Sequence, residues 1–156
     1  MKTHLWAAPF LAILASTALI ANDYKGVDET LNAHWETAAK ANWDAYAELF
    51  TSDAIYFGTD ITERWDKKTL IKYAKGTSGW VYHLRERNIS FMADGKIARF
   101  DEVLDSVNYG TSRGTGVLEL TDTGWKIAQY HLTFPLPNDM TDRITAEIRQ
   151  FESAAK

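Results

Sequence analysis

The chain has 156 residues, 17 Lys and Arg against 21 Asp and Glu, a formal net charge of −4, no cysteine, six tryptophans and seven tyrosines. That length favours one domain, and the lack of cysteine excludes a disulfide framework or a lipid-modified cysteine. No basic block or basic helix appears, so the electrostatic footprint of a nucleic-acid binder is missing, and the mild acidity argues against an anionic membrane surface.

Residues 1–21 read as a secretory signal peptide: MKTH is a short basic region, LWAAPFLAILASTALIA is an apolar run, and small residues follow. Cleavage is expected after Ala18 or Ala21, which makes the product secreted or periplasmic, with no membrane attachment after cleavage. The run is at the lower limit of the roughly 17 to 25 residues that span a bilayer, so an uncleaved N-terminal anchor is the alternative. Residues 22–156 then form a single domain.

Residues 27–41 (VDETLNAHWETAAKA) are predicted as a helix capped by Asp28, with Leu31, His34, Trp35 and Ala38 on one face. Asn42 interrupts and caps a second helix, WDAYAELF. DAIYFG follows as a strand, and Asp66 caps a third helix carrying Leu70, Ile71, Tyr73 and Ala74, which Gly76 is placed to end through a positive φ. From Gly79 the period changes from 3.6 to 2. Four strands are expected: WVYHLRERNISFMA, KIARFDEVLDSVNY, SRGTGVLELT and GWKIAQYHLTFPL, joined by turns at DG (94 and 95), NYGTSRG and TDTG (121 to 124). NDMTDRITAEIRQFE closes the chain as a helix. Helices followed by an antiparallel meander define an α+β domain.

Candidate site residues come from faces that mix apolar and polar groups. Strict alternation on the last strand puts Gln129, His131 and Thr133 beside Trp125 and Ile127, a pocket-like mixture. On KIARFDEVLDSVNY, Glu102 lies between Phe100 and Leu104, so its carboxylate must be paired or have its pKa raised, with Arg113 as the expected partner. An internal ion pair without chemistry is the alternative. His34 sits in an apolar stripe as a core histidine or a ligand contact. RGTG, a glycine pair inside a strand, points to a bulge or a close backbone approach. The histidines show no metal-ligand spacing, and neither a nucleophile motif nor a phosphate-cradling loop is present, so no metal or cofactor is expected.

Together, NWDAYAELFTSDAIYFGTD (42–60), TERW (62–65), FDE (100–102), YGTSRGTGVL (109–118) and GWKIAQYHLTFPLPND (124–139) resemble the SnoaL-like branch of the nuclear transport factor 2-like superfamily. The resemblance implies a curved antiparallel sheet wrapped around helices as a cone, a pocket at its open end, and a homodimer through the outer face of the sheet. It does not fix a function. The steroid isomerases of that superfamily use a helix-one tyrosine, an aspartate base at the end of strand one and a protonated aspartate in the sheet. Here those positions fall on His34, Gly58 and Gly116, so that constellation is absent, and Asp60 is the nearby substitute for the base. Three readings follow. The domain binds a small apolar or amphipathic molecule through Trp65, Glu102, Arg113, Gln129 and His131. Or it is a lyase- or isomerase-like enzyme in which His131 or Glu102 moves a proton and His34 or Arg113 stabilises an oxyanion, with Asp60 a further catalytic candidate. Or it is a dimeric scaffold with a vestigial pocket. In GTDITERW (58–65), Asp60, Glu63 and Arg64 are expected at the rim and Trp65 as a lid or wall, or else packed under the third helix.

Overall fold

The computed structural model describes residues 9–154. Its elements are α1 (Pro9–Ala39), α2 (Trp43–Glu48), β1 (Phe50–Phe57), β2 (Arg64–Asp66), α3 (Lys67–Ala74), β3 (Tyr82–Phe91), β4 (Ile97–Ser106), β5 (Gly110–Thr121), β6 (Gly124–Thr133) and α4 (Thr141–Ala154), with short 3-10 turns at Ala93–Gly95 and Asn138–Met140. The first eight residues of the expected signal peptide lie outside the described residues. From Pro9 the backbone is helical and runs through Ala18 and Ala21 into α1 without a break. Among the described residues no helix is long and apolar enough to cross a membrane.

The strands form one curved, open sheet in the order β2-β1-β6-β5-β4-β3. The four long strands β3 to β6 make the antiparallel meander read from the period-2 pattern, while β1 joins its far side parallel to β6. Helix α1 lies in the concavity. Its apolar stripe fills it: Leu31, His34 and Ala38 are fully buried and Trp35 nearly so. The opposing wall is β4, where Ala98, Phe100, Glu102 and Leu104 all point inward, as unbroken alternation requires.

Local chemistry explains the helix starts. Asn42 accepts the Ala45 N–H at 3.3 Å and Asp66 accepts the Thr69 N–H at 2.7 Å, both as expected for N-caps. Three expectations fail. Asp28 caps nothing, because α1 begins well before it, and its carboxylate is turned to Arg87 and Asn32 instead. Gly76 does not adopt a positive φ; α3 ends through Lys75, and it is Gly79 at φ +99° that needs to be glycine, since a Cβ there would sit 2.7 Å from the Ala38 carbonyl oxygen. The stretch GTDITERW contains an unexpected strand: β2 pairs with the end of β1, Tyr56 opposite Trp65, and the Gly58 N–H donates to the Glu63 carbonyl at 2.9 Å.

The largest correction concerns β6. Val117 pairs with Gln129 but Leu118 pairs with Ile127, so Ala128 is an extra residue on β6. Such a bulge reverses the phase of everything beyond it. Trp125 and Ile127 face the helices, and after Ala128 it is Tyr130 and Leu132 that do so, while Gln129 is exposed and His131 half-buried on the outer face beside Phe57.

Candidate functional site

Under α1 the sheet carries a buried polar cluster centred on Glu102. Its Oε1 accepts from Trp35 Nε1 at 2.9 Å and from the Tyr130 hydroxyl at 2.6 Å; its Oε2 accepts from Arg87 Nε at 2.8 Å. Arg87 continues to Asp28 Oδ1 at 2.7 Å and Asn32 Oδ1 at 2.8 Å. The ion partner of Glu102 is therefore Arg87 on β3, and the expected partner, Arg113, is exposed on the outer face. Gly114 makes the arrangement fit, because a Cβ there would overlap the Tyr130 hydroxyl and lie 2.9 Å from Glu102 Oε1. Gly116 is held likewise, by the Gln129 carbonyl and the Phe100 ring. The close approach read from RGTG is thus met twice. With every oxygen of Glu102 engaged and no solvent reaching it, this cluster is built to hold the cone together.

His34 is fully buried, its ring 4.8 Å from that of Tyr130 and 4.9 Å from that of Tyr46, and neither nitrogen has a hydrogen-bond partner among the described residues. Burial, with the Arg87 charge second, lowers its pKa from 6.5 to about 3, so the ring is neutral. Burial also pushes the Tyr130 and Tyr46 hydroxyls up, so both stay protonated.

The open end of the cone holds a cavity of about 310 Å³. Its walls come from six places in the chain: Tyr56 and Gly58 at the end of β1, Glu63 and Trp65 around β2, Leu70 and Tyr73 of α3, Trp80 and Tyr82 entering β3, Tyr109 in the β4–β5 turn, and Leu132 and Phe134 at the end of β6. The aromatic rings connect it to the core. His34 stacks on Tyr130, Tyr130 on Tyr56 at 5.5 Å, and Tyr56 faces Trp65 at 6.2 Å, which in turn meets Tyr73 at 4.6 Å. Burial pushes the Tyr56 hydroxyl well up, with Tyr82 and Glu63 adding to it, so that phenol is a hydrogen-bond donor at any ordinary pH.

At the end of β1, Gly58 leaves room that a side chain from the following loop takes. A Cβ on Gly58 would overlap the Glu63 carboxylate, and Glu63 Oε2 accepts the Asp60 N–H at 3.2 Å. Asp60 itself is exposed at the turn. Its Oδ1 accepts from the Thr62 N–H and hydroxyl at 2.8 and 2.6 Å, which lowers its pKa and ties it to the loop.

Of the residues singled out from the sequence, the structure brings Trp65 and Glu63 to this cavity, with Gly58 beside them. Glu102 and His34 lie beneath it in the core, Asp60 sits outside its rim, and Arg113, Gln129 and His131 are on the opposite face of the sheet. Glu102 and His131 therefore do not converge, and proton transfer shared between them has no geometric basis. Tyr73, Trp80, Tyr82 and Tyr109 were not singled out; they come from three separated segments, and the surplus of aromatic residues was their one signal. Among the described residues no group of three His, Cys, Asp or Glu side chains is placed to hold a metal ion.

The model of the SnoaL-like domain family matches residues 27–137. The chain belongs to the SnoaL-like family. No curated protein matches it. Solved structures share the fold. A nuclear transport factor 2-like protein with a cystatin-like fold from Novosphingobium aromaticivorans is 16% identical, with a TM-score of 0.66, over 82% of this chain and 92% of its own. A candidate dehydratase of the same superfamily from Streptomyces avermitilis is 15% identical, with a TM-score of 0.65, over 75% of this chain and 99% of its own. A candidate ketosteroid isomerase from Parabacteroides distasonis is 23% identical, with a TM-score of 0.56, over 69% and 86%. At these identities the likeness establishes the SnoaL-like cone and leaves the chemistry to the residues.

Proposed function

We propose that this SnoaL-like domain is exported and binds a small, flat, largely apolar molecule in the cavity at the open end of its cone. One observation carries the reading: seven aromatic side chains meet around a space of about 310 Å³, within the usual range for ligand sites. Such rings supply large contact area at low entropic cost, and the Tyr56 phenol and Glu63 carboxylate would orient what they hold. Isothermal titration calorimetry with 2-naphthol, a neutral flat probe, tests it. Saturable one-to-one binding that weakens by about tenfold in Trp80→Ala supports the reading, a loss of about 1.4 kcal/mol. Absence of binding opposes it.

A lyase-like activity is the second reading, favoured by the position of Glu63 beside Tyr56 at the end of β1. A carboxylate and a phenol at one cavity wall are a base and a donor, the minimum for moving a proton. Turnover would then vanish in Glu63→Gln while binding persists. The outer face, where Phe57, Val103, Val117 and His131 are half-buried, is the surface proposed to pair two copies. Sedimentation of the mature chain at twice the monomer mass would support that pairing.

A further inference from the structure

We propose that the cavity is a cage for an organic ammonium ion, that is, a quaternary or alkylated amine carried on an apolar or aromatic body. This rests on the small-molecule reading above and narrows its ligand class. Its first support is the charge of the lining: among the described residues that wall the cavity, Glu63 is the one charged side chain, and no Lys, Arg or His is among them. An anionic ligand would meet a carboxylate and no counter-charge, and a purely apolar one would leave that carboxylate to be desolvated without return.

The second support is the rings. Trp65 and Tyr73 lie 4.6 Å apart at 37°, and Tyr73 and Trp80 lie 6.4 Å apart at 32°, a run of tilted rings along one wall; Tyr109, 5.0 Å from Phe134, adds another. The faces of tryptophan and tyrosine carry negative potential and attract a cation within about 6 Å, most strongly where water is excluded. Methylated ammonium groups suit such walls because their charge is spread over carbon and is weakly hydrated.

The third is the state of Glu63. Among the described residues its one side-chain hydrogen bond is to the Asp60 N–H at 3.2 Å, and no Lys or Arg forms an ion pair with it. The adjacent Arg64 is turned to the Phe57 ring, 5.8 Å from its centroid. Gly58 admits the carboxylate to this position, where any Cβ would displace it. An acid without a cationic partner among the described residues, beside an aromatic wall, is complementary to a cation brought from outside.

The test is a set of calorimetric titrations with three probes of one shape: phenyltrimethylammonium, its neutral carbon isostere tert-butylbenzene, and the anion benzoate. The cation should bind at least about tenfold more tightly than the isostere. Glu63→Gln should reduce cation affinity by about tenfold and leave the isostere within about twofold, with an unchanged circular dichroism spectrum. If the isostere or benzoate binds as well as the cation, or if Glu63→Gln affects both equally, the ammonium assignment is wrong and the small-molecule reading stands. If none of the three binds, the ammonium assignment is wrong, and if 2-naphthol does not bind either, the small-molecule reading falls with it.

Discussion

The Glu102 carboxylate and the Arg87 guanidinium face each other across β4 and β3, Oε2 to Nη2 at 2.7 Å, with side-chain exposures of 0% and 3%. Arg87 also meets Asp28 at 2.7 Å, but Arg87 is the one cation paired with Glu102 among the described residues, so the buried carboxylate depends on it. Removing one partner from such a pair strands the remaining charge, at a cost of about 3 to 5 kcal/mol. Arg87→Met is therefore expected to lower unfolding stability by that amount. Adding Glu102→Gln to it should cost far less than the sum of the single changes. Urea unfolding of the four proteins in a double-mutant cycle measures the coupling; additivity would show that the pair does not act as a unit.

His34 gives a pH signature. Its folded pKa is about 3 against 6.5 unfolded. The unfolded chain takes up a proton near pH 6.5 that the folded chain refuses until near pH 3, so stability falls as pH drops through that window. The slope is about 1.4 kcal/mol per pH unit for one proton. In His34→Phe, which also removes two unpartnered buried nitrogens, this slope should vanish between about pH 6 and 4.5. Urea midpoints measured at several pH values compare the two proteins. Parallel curves would mean that His34 is not held neutral.

Two glycines should respond differently to alanine. Gly114→Ala forces the Tyr130 hydroxyl and Glu102 apart within a packed core and is expected to cost about 1 to 3 kcal/mol. Gly58→Ala meets the Glu63 side chain, which lies on a loop and can move away. Stability there should fall by less than in Gly114→Ala, by about 1 kcal/mol or under, because a loop side chain rather than the packed core must give way. Affinity for phenyltrimethylammonium should fall as it does in Glu63→Gln. Thermal unfolding and calorimetry on both variants separate the two outcomes, and equal destabilisation would contradict the different surroundings assigned to them.

How far the sequence could be read depended on whether a strand was interrupted. On β4 nothing breaks the alternation, and Glu102 lies inward between Phe100 and Leu104 as its position requires. On β6 the alternation is broken by Ala128, an ordinary small residue that carries no signature of a bulge, and one inserted residue exchanges His131 for Leu132 at the cavity. Similarly, β3 shifts register between Leu84 and Glu86, which hid Arg87 as the partner of Glu102. Strand β2 has three residues, too few for any period to show. The cone itself was legible because its helix stripes and meander are long. The cavity was not, since its walls converge only after the ends of β1, β3 and β6 are brought together, and no single segment contributes more than a few of its residues.

The bulge therefore decides which face of β6 meets a ligand, and adjacent residues can report it. Leu132→Trp should fill the cavity, whereas His131→Trp adds the same bulk to the outer face. Titration of wild type and both variants with phenyltrimethylammonium measures the difference directly. Binding is expected to be lost in Leu132→Trp and kept within about twofold in His131→Trp, a change below about 0.4 kcal/mol. Binding that survives Leu132→Trp and disappears in His131→Trp would contradict the placement of the site inside the cone.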